Sequence, residues 1–152
     1  MRAQDPPIDL GPELDFLREL WALDHAMQKR SKKMARELGI TGPQRLALRL
    51  IGRFPGLPAG RLARLLHLHP STVSGVVKRL ASRGLIVRGA DGPDRRRSLL
   101  RLTPSGHDLL ARPVPSIESA IEVSLRSLSP KQVEAALRAL GVVAMNLGGA
   151  TA

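Results

Sequence analysis

GLPAGRLARLLHLHPSTVSGVVKRLASRGLIVRGADGPDRRRSLLRLT, residues 56–103, decides the fold. Within it, 59–66 carries Leu62, Ala63, Leu65 and Leu66, and 71–83 carries Val73, Val76, Val77 and Leu80. Apolar residues at three- and four-residue spacing mark two short amphipathic helices. His67-Leu68-His69-Pro70 lies between them as a turn, with the proline removing a backbone donor and stopping the first helix. Leu62, Leu66, Leu68, Val73 and Val76 can then share one small core, and small Ala63 lets the helices approach closely. This is a helix-turn-helix pattern, whose second helix is shaped to enter a DNA major groove.

The residues that follow narrow the reading. Gly84 stands where a helix C-terminal glycine belongs, free to take positive φ. Leu85-Ile86-Val87 reads as one strand and 98–102 as a second. The connection between them, Gly89-Ala90-Asp91-Gly92-Pro93-Asp94, is dense in turn formers and leads into Arg95, Arg96 and Arg97. A two-stranded ribbon with a basic tip, directly after a helix-turn-helix, is a wing. Such a tip suits a narrow minor groove, where the negative potential is deepest.

These stretches together, STVSGVVKRLASRGLIVR and DGPDRRRSLLRLTPSG, closely resemble the winged-helix core of the MarR (multiple antibiotic resistance regulator) family. The family's Asp-x-Arg wing tip is matched by Asp94-Arg95-Arg96, and its Leu-Thr-Pro-x-Gly exit by Leu102-Thr103-Pro104-Ser105-Gly106. The resemblance is strong over residues 40–111, and the order of elements continues to both ends. It implies a mainly α fold with a small β-wing, a winged helix-turn-helix flanked by N- and C-terminal dimerisation helices. It also implies a homodimeric transcriptional regulator, a repressor in the first instance, that binds a pseudo-palindrome in double-stranded promoter DNA and responds to a small-molecule effector.

Charge supports a polyanionic partner. The net charge is +11, and residues 41–112 hold the whole excess, with fourteen basic against three acidic residues. Neutralising phosphates releases counterions, so binding through such a segment is salt-dependent. At 152 residues the chain is about one domain, and 43% hydrophobic content places it among globular proteins. No apolar run approaches the ~20 residues of a membrane span, so no membrane partner is expected. The N-terminal MRAQDPPIDLGPELDF has prolines and acidic residues where a signal peptide needs an apolar core, which makes a cytoplasmic location the expectation. With no cysteine, disulfides, thiolate metal sites and a thiol-based peroxide switch are excluded.

Taken in order, the chain divides into an arm and dimerisation helix (1–40), a winged helix-turn-helix (41–103), and a linking helix with a C-terminal dimerisation helix (104–152). A first helix is expected over 13–38, with Leu14, Leu17, Trp21, Leu20, Leu23, Met27, Met34 and Leu38 forming a wide apolar band that ends at Gly39. Thr41 and Gln44 form a capping box for the next helix, which carries Leu46, Leu48, Leu50 and Ile51. Arg45, Arg49 and Arg53, four residues apart, make a basic stripe on it. After the wing, Thr103 caps a helix with Pro104 at its first position. Pro113 and Pro115 then interrupt the apolar line, so a kink or break is expected near 111–115. That departs from the resemblance, which implies an unbroken linking helix. A second capping box, Ser129 with Gln132, opens a last helix through Val133, Leu137, Leu140, Val143 and Leu147.

Candidate site residues follow from this frame. His69, Pro70, Ser71, Thr72, Ser74, Gly75 and Lys78 face away from the Val73/Val76/Leu80 core and are mostly small, which lets the backbone sit deep in a groove. Arg79 and Arg83 are expected on phosphates or acidic neighbours. In the wing, Arg95, Arg96 and Arg97 are DNA candidates; the resemblance selects Arg96 for the minor groove, with Asp94 shaping the turn. The resemblance further implies an effector cleft, for which Leu17, Trp21, His25, Arg45 and Leu46 are the candidates, although two Phe and one Trp offer a planar ligand little stacking surface. His67, His69, His107 and His25 admit a metal-responsive reading only if they converge. No catalytic spacing, phosphate loop or cofactor motif is present, so no enzyme activity and no cofactor are expected. A sequence-tolerant architectural DNA-binding protein is the alternative with the same charge distribution.

Overall fold

The computed structural model describes residues 8–90 and 98–148. In chain order the elements are α1 (Gly11–Leu38), α2 (Gly42–Arg53), β1 (Leu57–Pro58), α3 (Ala59–Leu66), α4 (Pro70–Ser82), β2 (Ile86–Ala90), β3 (Ser98–Leu102), α5 (Pro104–Ala111), α6 (Ile117–Arg126) and α7 (Pro130–Gly148). They fall into two compact units that meet in sequence at Val114 and Pro115. Among the described residues no helix is long and apolar enough to cross a membrane.

Local signals in the sequence set the boundaries of the first unit. Gly39, at φ 70°, ends α1, and its N–H closes on Ala35 O. Thr41 and Gln44 form the expected capping box, with Gln44 N–H donating to Thr41 Oγ1 at 3.4 Å and Thr41 N–H to Gln44 Oε1 at 3.0 Å. Gly42 N–H donates to Ser31 Oγ at 2.8 Å, tying the start of α2 to α1. Thr103 caps α5 through Gly106 N–H at 3.1 Å, and its own hydroxyl donates to Gly84 O at 2.6 Å.

Three local readings are corrected. The turn lies at 67–70 as expected, but α3 is stopped by His67 rather than by Pro70: His67 adopts φ 51°, ψ 39°, and Leu68 N–H reaches back to Ala63 O at 3.1 Å. A left-handed residue with a backward bond is the usual way to close a helix. Pro70 instead opens α4 at its first turn, where a missing N–H costs nothing. The wing is also part of a three-stranded antiparallel sheet, ordered β1-β3-β2, not a two-stranded ribbon. Leu57 pairs with Leu100, which places a two-residue strand against the far edge of β3. Finally, β2 starts at Ile86 and runs on through Gly89 and Ala90, which pair with Leu99 and Ser98. Turn-forming residues can continue a ladder when the partner strand is already in register.

The core lies where α2, α3, α4 and the sheet converge. Leu48, Ile51, Leu62, Val73, Leu80 and Leu100 are all at most 1% exposed, with Leu66 and Leu68 packed against them. Truncating side chains buried to this degree costs on the order of 2–5 kcal/mol each, which makes this cluster the main support of α4. The wide apolar band of α1 is buried only at its C-terminal end, at Met34 and Leu38, with Leu20 half-buried, while Leu14, Leu17, Trp21 and Met27 are exposed in the single chain.

In the second unit, Ser116 and Ser119 cap α6 reciprocally. Ser129 and Gln132 do the same for α7, at 2.8 and 3.3 Å, as the sequence indicates. Neither α6 nor α7 buries a residue, and Val123, Leu137, Met145 and Leu147 are among their exposed apolar side chains. The expected interruption before α6 is a full break: α5 ends at Ala111 and α6 begins at Ile117.

Candidate nucleic-acid interface

Helix α4 has two faces set by its apolar period. Val73, Val76, Val77 and Leu80 are buried against α2, α3 and the sheet. His69, Pro70, Ser71, Thr72, Ser74, Lys78 and Arg79 are exposed, and Gly75 is half-buried. A Cβ built at Gly75 meets nothing within 4 Å, and the same holds at Gly60 on the neighbouring α3. The exposed face therefore has low relief, with hydroxyls at Ser71, Thr72 and Ser74 and a cation at Lys78. Short hydroxyl side chains reach base edges or phosphates only if the backbone comes close, and the missing side chain at Gly75 permits that.

His69 has a structural task as well as a place on this face. Its Nδ1 accepts from Ser71 N–H at 3.3 Å and lies 2.7 Å from Ser71 Oγ, so the imidazole caps α4. Among the described residues Lys78 and Arg79 have no acidic partner, which suits cations held for an anionic ligand.

Arg83 behaves differently from its neighbours. It donates through Nη1 to Gly39 O and through Nη2 to Leu38 O at 3.2 Å, closing the end of α1. Its expected place on phosphate or an acidic neighbour is thus taken by two carbonyls. The basic stripe on α2 is likewise interrupted: Arg45 is 3% exposed, and its guanidinium donates to Leu109 O and Leu110 O at 3.3 and 3.2 Å. Helix period alone put Arg45 beside Arg49 and Arg53; the packing of α5 on α2 draws it inward.

One residue escaped the sequence reading. Arg88 on β2 is exposed and shares a shallow cleft with Gly60, Pro70, Ser74 and Ser98, next to the recognition face. The available signal was a lone cation directly after the stretch read as the first wing strand; in the structure Arg88 pairs with Leu100 in the ladder. Asp94, Arg95, Arg96 and Arg97 lie outside the described residues. The strands that lead to and from that tip are in place, β2 and β3 pairing from Ile86 with Leu102 to Ala90 with Ser98.

Of the remaining candidates, Leu17, Trp21 and His25 follow one another at four-residue spacing along the exposed N-terminal part of α1, with Trp21 68% exposed. Leu46 is exposed on α2. His25 borders a cleft with Gln28, Lys29, Lys32 and Arg36, all on α1. The histidines are dispersed over α1, the α3–α4 turn and α5, and among the described residues no three His, Asp or Glu are grouped to hold a metal ion.

Comparison with known proteins agrees with this geometry. A model of the MarR family matches residues 38–97. The organic hydroperoxide resistance transcriptional regulator of Bacillus subtilis (strain 168) is 33% identical over 132 residues, covering 86% of this chain and 88% of that one. Among solved structures, the PcaV transcriptional regulator of Streptomyces coelicolor in complex with its natural ligand is 30% identical, with a TM-score of 0.69 over 91% of this chain and 96% of that one. The S. aureus MepR–DNA complex is 27% identical, with a TM-score of 0.70 over 87% and 97%. The exposed α4 face, the wing stem and the Thr103–Gly106 exit thus sit in a shared framework, and the chain belongs to the MarR family of transcriptional regulators.

Proposed function

We propose that the chain binds pseudo-palindromic promoter DNA as a homodimer and regulates transcription by occluding the promoter. The observation that carries this reading is the face of α4: small and hydroxyl side chains with open space at Gly75, backed by buried Val73, Val76 and Leu80. Each subunit places His69–Lys78 in a major groove, with Arg79 and Arg88 on the adjoining backbone. Arg95–Arg97 reach the flanking minor groove, with Arg96 the inserted side chain and Asp94 shaping the tip. The MepR structure holds DNA and the PcaV structure a ligand, which supports both halves of the reading, DNA and effector. Exposed Leu14, Leu17 and Trp21 on α1, together with the unburied apolar faces of α6 and α7, supply the surface for a second copy.

The effector belongs near α1 and α2, at Leu17, Trp21, His25 and Leu46; the Arg45 guanidinium, held by two carbonyls, is the weakest of these candidates. With no cysteine in the sequence, a thiol-based peroxide switch has no side chain to act through.

Genome-wide footprinting followed by competition with scrambled DNA tests the reading. A specific competitor should displace the bound operator at far lower concentration than a scrambled one; equal displacement by both would make the protein architectural. Arg96→Ala should weaken operator binding by about tenfold, with fold and dimer intact. It should also flatten the salt dependence by roughly 0.9 in log–log slope for each phosphate that is no longer neutralised. Binding by that variant as tight as the unmodified chain, at the same salt, would show the wing arginine idle.

A further inference from the structure

We propose that Arg45 is a positioning residue for DNA reading: it replaces the hydrogen bonds lost at the end of α5 and so fixes the point where the chain leaves the DNA-reading unit. The proposal rests on the DNA-binding reading above for its functional half only.

In a continuing helix, Leu109 O would accept from the N–H of residue 113 and Leu110 O from that of residue 114. Residue 113 is proline and has no N–H. Val114 N–H turns back to Arg112 O at 2.9 Å, so it does not serve Leu110 O either. Arg112 itself is extended, at φ −60°, ψ 128°, as the residue before a proline prefers. Two carbonyls at the end of α5 therefore lose their helical partners, and Leu109 is a buried residue. Arg45 supplies both donors, Nη1 to Leu109 O and Nη2 to Leu110 O, from 64 and 65 residues away.

The chemistry fits the task. A guanidinium is a flat fork of donors that can span two successive carbonyls, whereas a lysine ammonium is a single point. A positive charge at a helix C-terminus also opposes the negative end of the helix dipole. The donor is mounted on a rigid element, since Ala47, Leu48 and Ile51 of α2 are fully buried. The first unit then ends at Val114, three residues beyond the last residue of α5. A dimeric reader has to hold two recognition helices at half-sites about one helical turn, ~34 Å, apart. An exit point that wandered would blur that spacing.

The test compares the full chain with Arg45→Met, with Pro113→Ala/Pro115→Ala, and with the triple variant. Hydrogen exchange is read over α5, and affinity is read on the footprinted operator and on versions with one base pair added or removed between half-sites. Arg45→Met should speed exchange across Asp108–Arg112 and bring affinities for the altered spacings to within about threefold of the operator's, where the unmodified chain should separate them by about tenfold or more. The triple variant should recover both, because alanine at 113 and a continued helix return donors to Leu109 O and Leu110 O. Unchanged exchange and spacing in Arg45→Met would overturn the proposal, and so would a triple variant as impaired as the single one. Should Arg45→Met fail to fold, the triple variant decides: its folding supports the role and its failure overturns it. An unmodified chain that binds no DNA would sink the DNA-binding reading instead, and the exchange measurements would still judge Arg45.

Discussion

Replacing Gly106 by alanine is expected to destabilise the first unit by about 3 kcal/mol or more, although alanine is the better helix former by ~1 kcal/mol. A Cβ at this position would lie 2.2 Å from Leu85 O and 3.2 Å from Leu85 C, both backbone atoms. That carbonyl cannot step aside easily, because it accepts from Thr103 N–H at 3.1 Å and belongs to a residue 5% exposed. The α5 helix would have to lift off the chain leaving α4, breaking the Thr103 bonds that define its start. Steric conflict with pinned backbone outweighs helix propensity here, and a loss of this size is a large share of the 5–15 kcal/mol that holds a domain. Chemical denaturation of the variant is the check; a midpoint within about 0.5 kcal/mol of the unmodified chain would mean that α5 does not approach Leu85 so closely. The same contact explains the Leu102-Thr103-Pro104-Ser105-Gly106 exit as a physical unit. Thr103 caps the helix and holds Gly84 O, proline starts the first turn, and glycine lets the helix touch the sheet's root.

Gly75→Glu should leave the fold intact and remove operator binding by at least a hundredfold, ~3 kcal/mol. The space around a Cβ at Gly75 is empty, and glutamate suits a helix interior better than glycine, so stability should hold or rise slightly. In the groove the change is severe. A carboxylate at the point of closest approach adds bulk and a charge of the same sign as the phosphates, where the flat α4 face otherwise admits the duplex. Circular dichroism unchanged alongside lost mobility shifts is the expected pair of results. Gly75→Ala separates bulk from charge and should lose far less. Operator affinity within a few-fold of the unmodified chain for Gly75→Glu would place another part of the surface on the DNA.

The parts of this architecture that could be read in advance are those that depend on neighbours in sequence. The two short helices, Gly84 at φ 66°, the Thr41–Gln44 and Ser129–Gln132 boxes and the break at Pro113 and Pro115 each follow from a rule spanning a handful of residues. What could not be read depends on partners brought from far away. Leu57-Pro58 has no strand signature of its own and becomes one because Leu100 offers a free edge. Arg45 and Arg83 look like members of solvated basic faces, yet each turns to a pair of backbone carbonyls more than forty residues distant. Cations are read from sequence as ligands for acids or phosphates, and a helix end that lacks donors is an equally good partner. The site followed the same division: the face of α4 is set by its own period, while the role of His69 as a cap and the nearness of Arg88 required the assembled turn and sheet.

The absence of any buried residue in α6 and α7 has a consequence for how the proposed homodimer would depend on its own concentration. Helices of 10 and 19 residues that bury no side chain gain little packing within the single chain, so in the homodimer proposed above much of their order would come from association. By mass action the thermal midpoint of those helices then climbs with protein concentration, while that of the Leu48–Leu80 core does so far less. Melting followed at micromolar and at hundred-fold lower concentration would separate the two transitions. If the proposed homodimer forms, a newly made chain at low copy number would carry a finished reading head on less ordered terminal helices, and it would become a two-headed reader only once enough copies had accumulated to complete one another.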